Sequence, residues 1–246
     1  MEIAEYARPI HTGSGDVGVL MCHGFTSTPH SLSEWAYAVA KAGYEVSVPR
    51  LPGHGTDWHE LNVTSWQDWY DCVNQEFLTL RQNHAKVFVT GLSLGGALAL
   101  RLAEQHPDDV AGLVLVNPAV LARWTSNFAP LLSLFIPALK GKIGSDIAMP
   151  GVVEYTYDVT PLKAVATMLK LWTDVRARLD LVTCPVVLYR SSVDHAVPKA
   201  SAEMILRQIS SEEVFERVLP RSWHVATMDY DKEEIFTGSI EFFASH

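Results

Sequence analysis

Cysteine is scarce in this chain: three of the 246 residues are cysteine, an odd number without the spacing of a metal site. Two of them lie in apolar runs typical of strands, so we expect Cys22, Cys72 and Cys184 to be reduced core residues of a cytoplasmic protein. The N-terminal stretch MEIAEYARPIHTGSGD has acidic residues where a signal peptide has basic ones, and no apolar core follows it. Export by that route is therefore not expected.

Basic residues are also few. The chain has 19 Lys and Arg against 28 Asp and Glu, a net charge of −9, and no block of like charge. This balance argues against nucleic acid and against an anionic membrane as the main partner. No apolar run approaches the roughly 20 residues that cross a bilayer, and no internal repeat is present. We therefore expect no integral membrane segment.

Short apolar runs alternate with longer segments of helical period along most of the chain. The runs are rich in Val and Leu and predict strands at Val17–Cys22, Glu45–Val48, Val87–Thr90, Gly112–Val116, Val186–Tyr189 and Val214–Leu219. The segments between them predict helices at Leu32–Ala42, Ser65–Gln82, Leu94–Gln105, Lys199–Ile209 and Lys232–Phe243. This alternation predicts one α/β domain over residues 1–246, with a mostly parallel sheet covered by helices on both faces and ligands at the carboxyl ends of its strands.

The alternation is interrupted between about residues 118 and 180. This stretch is rich in aromatic and apolar side chains, shows no clear strand, and is too long for an ordinary connection. We interpret it as a small cap inserted after the Gly112–Val116 strand. Its apolar content favours a fatty acyl ligand, although any helical cap must bury apolar residues.

The motif GLSLG centres on Ser93, between a predicted strand and a predicted helix. Gly91 and Gly95 leave room for a sharp turn that would lift the Ser93 hydroxyl above the sheet. The motif alone is weak, because Gly and Ser are common residues. The alternative is that Ser93 only caps the N-terminus of the helix.

A nucleophilic serine needs a base within hydrogen-bond reach and a third group that holds the base. His224 follows the predicted strand Val214–Leu219, and Asp194 follows the predicted strand Val186–Tyr189. Both therefore fall in loops at the carboxyl edge of the sheet, where Ser93 is expected. The order serine, aspartate, histidine is that of α/β-hydrolases.

Other assignments of these residues remain open from the sequence. Asp194 could merely cap the following helix, and His224 could be an ordinary loop histidine. His195 is a weak candidate for the base, because adjacent side chains in an extended loop usually diverge. His23 and His54 each lie beside glycine and are expected to shape the backbone rather than transfer protons.

Acyl transfer also needs hydrogen-bond donors where negative charge develops on the oxygen. The backbone N–H of Leu94, directly after Ser93, is one predicted donor. The other is the backbone N–H of Phe25, in the loop MCHGFTSTPHS after the first predicted strand. No metal-ligand cluster, phosphate-binding loop or dinucleotide fingerprint is present, so no cofactor and no metal are expected.

Three stretches carry a resemblance to a known family: GVLMCHGFTSTPHSLSEWAYAVAKAGYEVSVPRLPGHGTD, VFVTGLSLGGALAL and WHVATMDYD. They resemble the bacterial monoacylglycerol lipases and small carboxylesterases of the α/β-hydrolase superfamily, over about Val17 to Phe243. The resemblance implies a triad of Ser93, Asp194 and His224.

The same resemblance implies that Phe25 and Leu94 form the oxyanion hole. It has two departures: Leu94 stands where methionine is frequent, and Ser27 stands where glycine is common. Neither removes a backbone donor, and both could alter the acyl pocket.

The resemblance implies hydrolysis of carboxylic esters of fatty acids through an acyl-enzyme. In the cap, it implies substrate contacts by Glu154, in PGVVEYTYDVTP, and by Ile143, in KIGSD. A solvated surface glutamate is the alternative for Glu154.

The same fold also supports carbon–carbon hydrolysis, peracid formation, or ligand binding without catalysis. Transient contact with a lipid surface is compatible with the cap, and the oligomeric state is left open.

Overall fold

The computed structural model describes residues 3–122, 128–141 and 146–246. The strands in these residues are β1 Ile10–Thr12, β2 Val17–Cys22, β3 Glu45–Val48, β4 Lys86–Leu92, β5 Val110–Val116, β6 Ala138–Lys140, β7 Val159–Pro161, β8 Val186–Ser191 and β9 Val214–Leu219. The helices are α1 Ser33–Lys41, α2 Trp58–Leu61, α3 Trp66–Asn83, α4 Leu94–Gln105, α5 Ala129–Leu132, α6 Leu162–Arg176, α7 Ala200–Gln208 and α8 Lys232–Ser245.

Seven of these strands form one sheet in the order β1-β3-β2-β4-β5-β8-β9. All its neighbouring strands run parallel except β1, which pairs antiparallel with β3. Every predicted strand is present, and the predicted α/β-hydrolase fold is confirmed. The sequence prediction omitted β1, because three residues are too short to show a hydrophobic pattern.

Helices cover both faces of the sheet, as predicted. Successive side chains of β2 point to opposite faces, so Leu20 belongs to one core cluster while Val19 and Met21 belong to the other. Helices α3, α4, α6 and α7 pack with the first cluster, and α1 and α8 pack with the second. The rings of Trp35 on α1 and Phe236 on α8 stack with their centroids 6.5 Å apart.

The predicted cap, residues 118–180, contains four of these elements. Strands β6 and β7 pair antiparallel as a separate two-stranded sheet, where the sequence showed no clear strand. Helix α6 packs against α3 and α4, and its buried residues, such as Leu171 and Val175, join the core beneath the main sheet. The extent of the cap stays a prediction.

None of the helices in the described ranges is long and apolar enough to cross a membrane.

Candidate active site

Ser93 lies alone in the turn between the end of β4 and the start of α4. Its φ of 56° is in the left-handed region, which non-glycine residues rarely adopt and which costs about 1–3 kcal/mol. Backbone bonds hold this conformation: the Ser93 N–H donates to the Val116 carbonyl at 3.0 Å, and the Ser93 carbonyl accepts from Gly96 at 3.0 Å. The Ser93 side chain makes no helix-capping bond, so the capping alternative does not account for it.

The two glycines of GLSLG are required by close packing. A Cβ atom at Gly91 would lie 2.2 Å from the Gly95 carbonyl oxygen. A Cβ atom at Gly95 would lie 1.9 Å from the carbonyl oxygen of Cys22 at the end of β2. Any larger residue would therefore push the turn away from the neighbouring strand.

His224 connects Ser93 to Asp194. Its Nε2 lies 2.9 Å from the Ser93 Oγ, and its Nδ1 lies 2.8 Å from the Asp194 Oδ2. The other oxygen of Asp194 accepts bonds from the backbone N–H groups of Ala196 at 2.8 Å and Val197 at 2.7 Å. These two bonds fix the orientation of the carboxylate that faces the imidazole.

The surroundings of this pair shift both pKa values in the direction that base catalysis requires. Burial alone lowers the pKa of His224, but the hydrogen bond and charge of Asp194, with the charges of Glu154 and Asp146, outweigh it and raise that pKa. For Asp194, burial alone raises the pKa, but bonds from His224 and the backbone N–H groups outweigh it and hold the pKa low. The aspartate is therefore ionised beside a histidine that readily accepts a proton.

His23 and His54 hold backbone, as the sequence predicted. His23 bonds the Gly24 carbonyl through Nδ1 at 3.0 Å and accepts from the Leu51 N–H through Nε2 at 3.2 Å. His54 Nδ1 bonds the Pro52 carbonyl at 3.1 Å. Burial lowers the pKa of His23 to about 4, so its ring is neutral and both its nitrogens are occupied.

The two residues predicted as oxyanion donors belong to segments next to the nucleophile. Leu94 is the first residue of α4, and the N–H of that position has no partner within a helix. Phe25 lies in the turn after β2. The Cβ position at Gly24 is 3.6 Å from the Ser93 Cβ, so this turn packs directly on the serine. Thr26 follows with a left-handed φ of 59°. The donor roles of Phe25 and Leu94 stay predictions.

Glu154 is buried within the site, not solvated on a helix. It is 3% exposed, and its charge is near enough to raise the pKa of His224. Its Oε1 accepts a 2.6 Å hydrogen bond from Ser27, whose hydroxyl also bonds Ser31 at 3.0 Å. Ile143, the other predicted substrate contact, lies outside the described residues.

Sequence reasoning missed Asn117, directly after β5. Its side chain accepts from the Ser191 N–H at 2.8 Å and donates to the Ser191 hydroxyl at 2.9 Å and to the His224 carbonyl at 2.7 Å. Its φ of 44° is left-handed, a conformation that Asn tolerates better than most residues. The sequence does hold one signal for this role: an Asn stands between an apolar predicted strand and Pro118.

A serine, a histidine and a carboxylate joined in this way, at the carboxyl ends of a parallel sheet, define a hydrolase of the α/β class. Across the described ranges, no group of three or more His, Cys, Asp or Glu side chains is arranged to hold a metal ion.

Comparison with known proteins gives the family. The Hydrolase_4 family, described as serine aminopeptidase S33, matches residues 16–231. The chain is 42% identical to the thermostable monoacylglycerol lipase of Bacillus sp. (strain H-257), over 98% of this chain and 95% of that protein. It is 24% identical to the carboxylesterase of Bacillus subtilis (strain 168), over 96% of this chain and 95% of that protein.

Among solved structures, one from work on LipS and LipT, two metagenome-derived lipolytic enzymes, matches with a TM-score of 0.96 and 35% identity, covering 100% of both chains. The chain belongs to the Hydrolase_4 family, and the resemblance read from its motifs is confirmed.

Proposed function

We propose that this protein is a serine ester hydrolase that acts on monoacylglycerols. The observation that carries the proposal is the chain of contacts from Ser93 Oγ through His224 to Asp194, at 2.9 and 2.8 Å. The family and its lipolytic relatives support the ester as the bond that is cleaved.

In the proposed reaction, Ser93 Oγ attacks the ester carbonyl while His224 Nε2 takes the hydroxyl proton. The Leu94 and Phe25 N–H groups stabilise the oxyanion, each contributing roughly 2.7–4 kcal/mol to the transition state. His224 then gives the proton to the leaving alcohol, and an acyl-Ser93 ester remains. A water molecule, deprotonated by His224, then attacks the acyl carbonyl, and the fatty acid leaves as His224 returns the proton to Ser93 Oγ. Asp194 stays ionised and holds the histidine throughout.

The buried Glu154 carboxylate supports a hydroxylated leaving group. It accepts from Ser27 at 2.6 Å and lies close enough to His224 to act on its pKa. A glycerol monoester brings two free hydroxyls that can donate to such a carboxylate. A di- or triacylglycerol brings fewer or none, and would leave the carboxylate poorly solvated. Glu154 therefore acts as a selectivity group for the monoester.

Glu154→Gln tests this role. We expect kcat/KM for a monoacylglycerol to fall about tenfold or more, because loss of a charged hydrogen bond costs roughly 1.5–3 kcal/mol. An aryl ester of the same acyl chain has no leaving-group hydroxyl, so its hydrolysis should change little when both are assayed above the acid limb, where His224 is neutral with or without the Glu154 charge. Glu212→Gln, at an exposed site, is the matched control. Equal losses on both esters would show a structural role, and no loss on either would leave a general carboxylesterase.

A substrate panel distinguishes the alternative reactions of the fold. It contains mono-, di- and triacylglycerols, aryl esters of graded chain length, a β-diketone, an ester with hydrogen peroxide, and an aminoacyl arylamide. The proposal requires the highest kcat/KM on the monoacylglycerol. A preference for the diketone, for peracid formation or for the arylamide would contradict it.

The apolar surface near α5 supports transient contact with a lipid surface. Leu131, Leu134 and Phe135 are 60%, 75% and 78% exposed within one short stretch. Such a concentration of exposed apolar side chains is typical of an interaction surface. It suits an enzyme whose substrate resides in lipid.

The three cysteines, all free, support a cytoplasmic location for this activity.

A further inference from the structure

Asp146, in the predicted cap, contacts both loops that carry the partners of Ser93. Its Oδ2 accepts from the His195 N–H at 3.0 Å and from the His224 N–H at 3.3 Å. Its Oδ1 lies 2.9 Å from the His195 ring Nδ1. Its carbonyl accepts from the Val225 N–H at 3.0 Å. One cap residue therefore bonds the neighbour of Asp194 and the backbone of His224.

We propose that Asp146 is a positioning residue for two loops: the acid loop, which follows β8 and carries Asp194, and the histidine loop, which follows β9 and carries His224. By holding these loops in register, it keeps the geometry of His224 toward both Ser93 and Asp194. The inference rests on the proposed roles of these three residues. It assigns no direct contact between Asp146 and substrate.

A brace from the cap side adds to the bonds that already join these loops. In the described residues, the backbone pairing of β8 with β9 ends at Ser191–Leu219, and beyond it the Ser191 hydroxyl donates to the Trp223 carbonyl at 2.7 Å. Asn117 holds the His224 carbonyl from the sheet side at 2.7 Å. Asp146 holds the His224 N–H from the cap side. The two peptide groups of His224 are thus fixed from opposite directions.

The charge of Asp146 adds a second effect. The acidic groups that face His224 are Asp194, Glu154 and Asp146, and all three favour its protonated form. His195 lies against Asp146 with its ring on the solvent side, its side chain 58% exposed. Asp146 thereby stabilises the imidazolium that forms when Ser93 attacks, as well as aligning the ring.

The experiment separates alignment from charge with two variants, assayed on a soluble aryl ester. Asp146→Asn keeps the size of the side chain and one acceptor oxygen but removes the charge. We expect the acid limb of its kcat/KM profile to move to lower pH by roughly half a unit or more. Asp146→Ala removes the brace as well. We expect its kcat to fall about 10- to 100-fold with KM changed less than about twofold, because misplacement of a catalytic group acts on the chemical step.

Arg221→Gln is the control. Arg221 lies in the histidine loop, and its substitution removes an ion pair with Asp231 rather than a bond to His224. It should leave kcat and the acid limb in place. An unmoved acid limb in Asp146→Asn, or a kcat in Asp146→Ala no lower than in Arg221→Gln, would overturn the inference. Ser93→Ala is measured in the same assay. If it is inactive, the proposed function stands whatever the Asp146 variants show. If it is fully active, the proposed function itself is contradicted.

Discussion

At the residue scale, the account depends on how one buried histidine is surrounded. His224 is 2% exposed, a condition that alone disfavours its charged form. Three carboxylates, from Asp194, Glu154 and Asp146, reverse that effect and raise its pKa. They come from the loop after β8 and from the predicted cap, so this electrostatic environment depends on parts of the chain far from the histidine in sequence.

The raised pKa of His224 predicts the pH dependence of the reaction. Only the neutral imidazole can take the Ser93 proton, so activity is lost as the pH falls through this pKa. Because the shift is upward, the acid limb of kcat/KM for an aryl ester should lie above the unperturbed histidine value of about 6.5. The measurement is a pH–rate profile under conditions where chemistry limits the rate. A limb below that value, or a flat profile to pH 5, would point to another base.

The triad residues could be predicted from the sequence, but their supports could not. Ser93, Asp194 and His224 each follow a strand, and parallel strands bring such positions to one edge. Asn117 and Asp146 act through backbone groups of other loops, and no spacing in the sequence indicates a partner of that kind. The burial of Glu154 was also not predictable, because its bond to Ser27 joins residues 127 positions apart.

At the element scale, the predicted strands agree with the observed ones within about two residues, because buried parallel strands are short and continuously apolar. Helix α6 was not identified as an element, since its apolar residues lie in a stretch where no strand follows directly. Its contacts with α3 and α4 place it in the main core. The hydrophobic pattern indicates that residues will be buried, but not against which partner.

The exposed apolar stretch near α5 gives an element-scale prediction. Leu134→Asp with Phe135→Asp should reduce cosedimentation with phosphatidylcholine vesicles that contain a monoacylglycerol, because apolar contact area is replaced by charge. Both side chains are mostly exposed, so folding and hydrolysis of a soluble short-chain aryl ester should persist. Val218→Asp, on the edge strand β9, is the control for added charge. Equal cosedimentation of all three proteins would contradict the proposed contact.

At the scale of the whole molecule, stability is expected to depend on a buried acid outside the candidate active site. Glu104, near the end of α4, is 5% exposed and packs beside Arg101, with 3.9 Å between the closest charged atoms. Burial raises the pKa of Glu104 to about 8, despite the opposing charge of Arg101. Hydrogen bonds keep the pKa of Asp194, the proposed catalytic acid, low, whereas burial keeps the pKa of Glu104 high.

Glu104 therefore predicts a loss of stability as the pH rises toward 8. A carboxyl whose pKa is raised on folding binds its proton more tightly in the folded state, so stability falls with rising pH between the unfolded-state pKa of about 4.3 and the folded-state pKa of about 8, and Glu104 adds no further change above that. The Tm of the native protein should be lower at pH 9 than at pH 6.5. Glu104→Gln, which mimics the protonated form, should reduce that difference by several degrees. An unchanged difference, measured by calorimetry, would show that Glu104 does not titrate in this range.

The central claim is that ester hydrolysis proceeds through Ser93, and the direct measurement is the turnover of a monoacylglycerol by Ser93→Ala. Alanine removes the nucleophile from a unit whose members act together, so we expect kcat to fall by roughly 10⁴- to 10⁶-fold. The Tm should stay near that of the native protein, because only one hydroxyl is lost. A folded variant that keeps more than about a tenth of native turnover would contradict the claim.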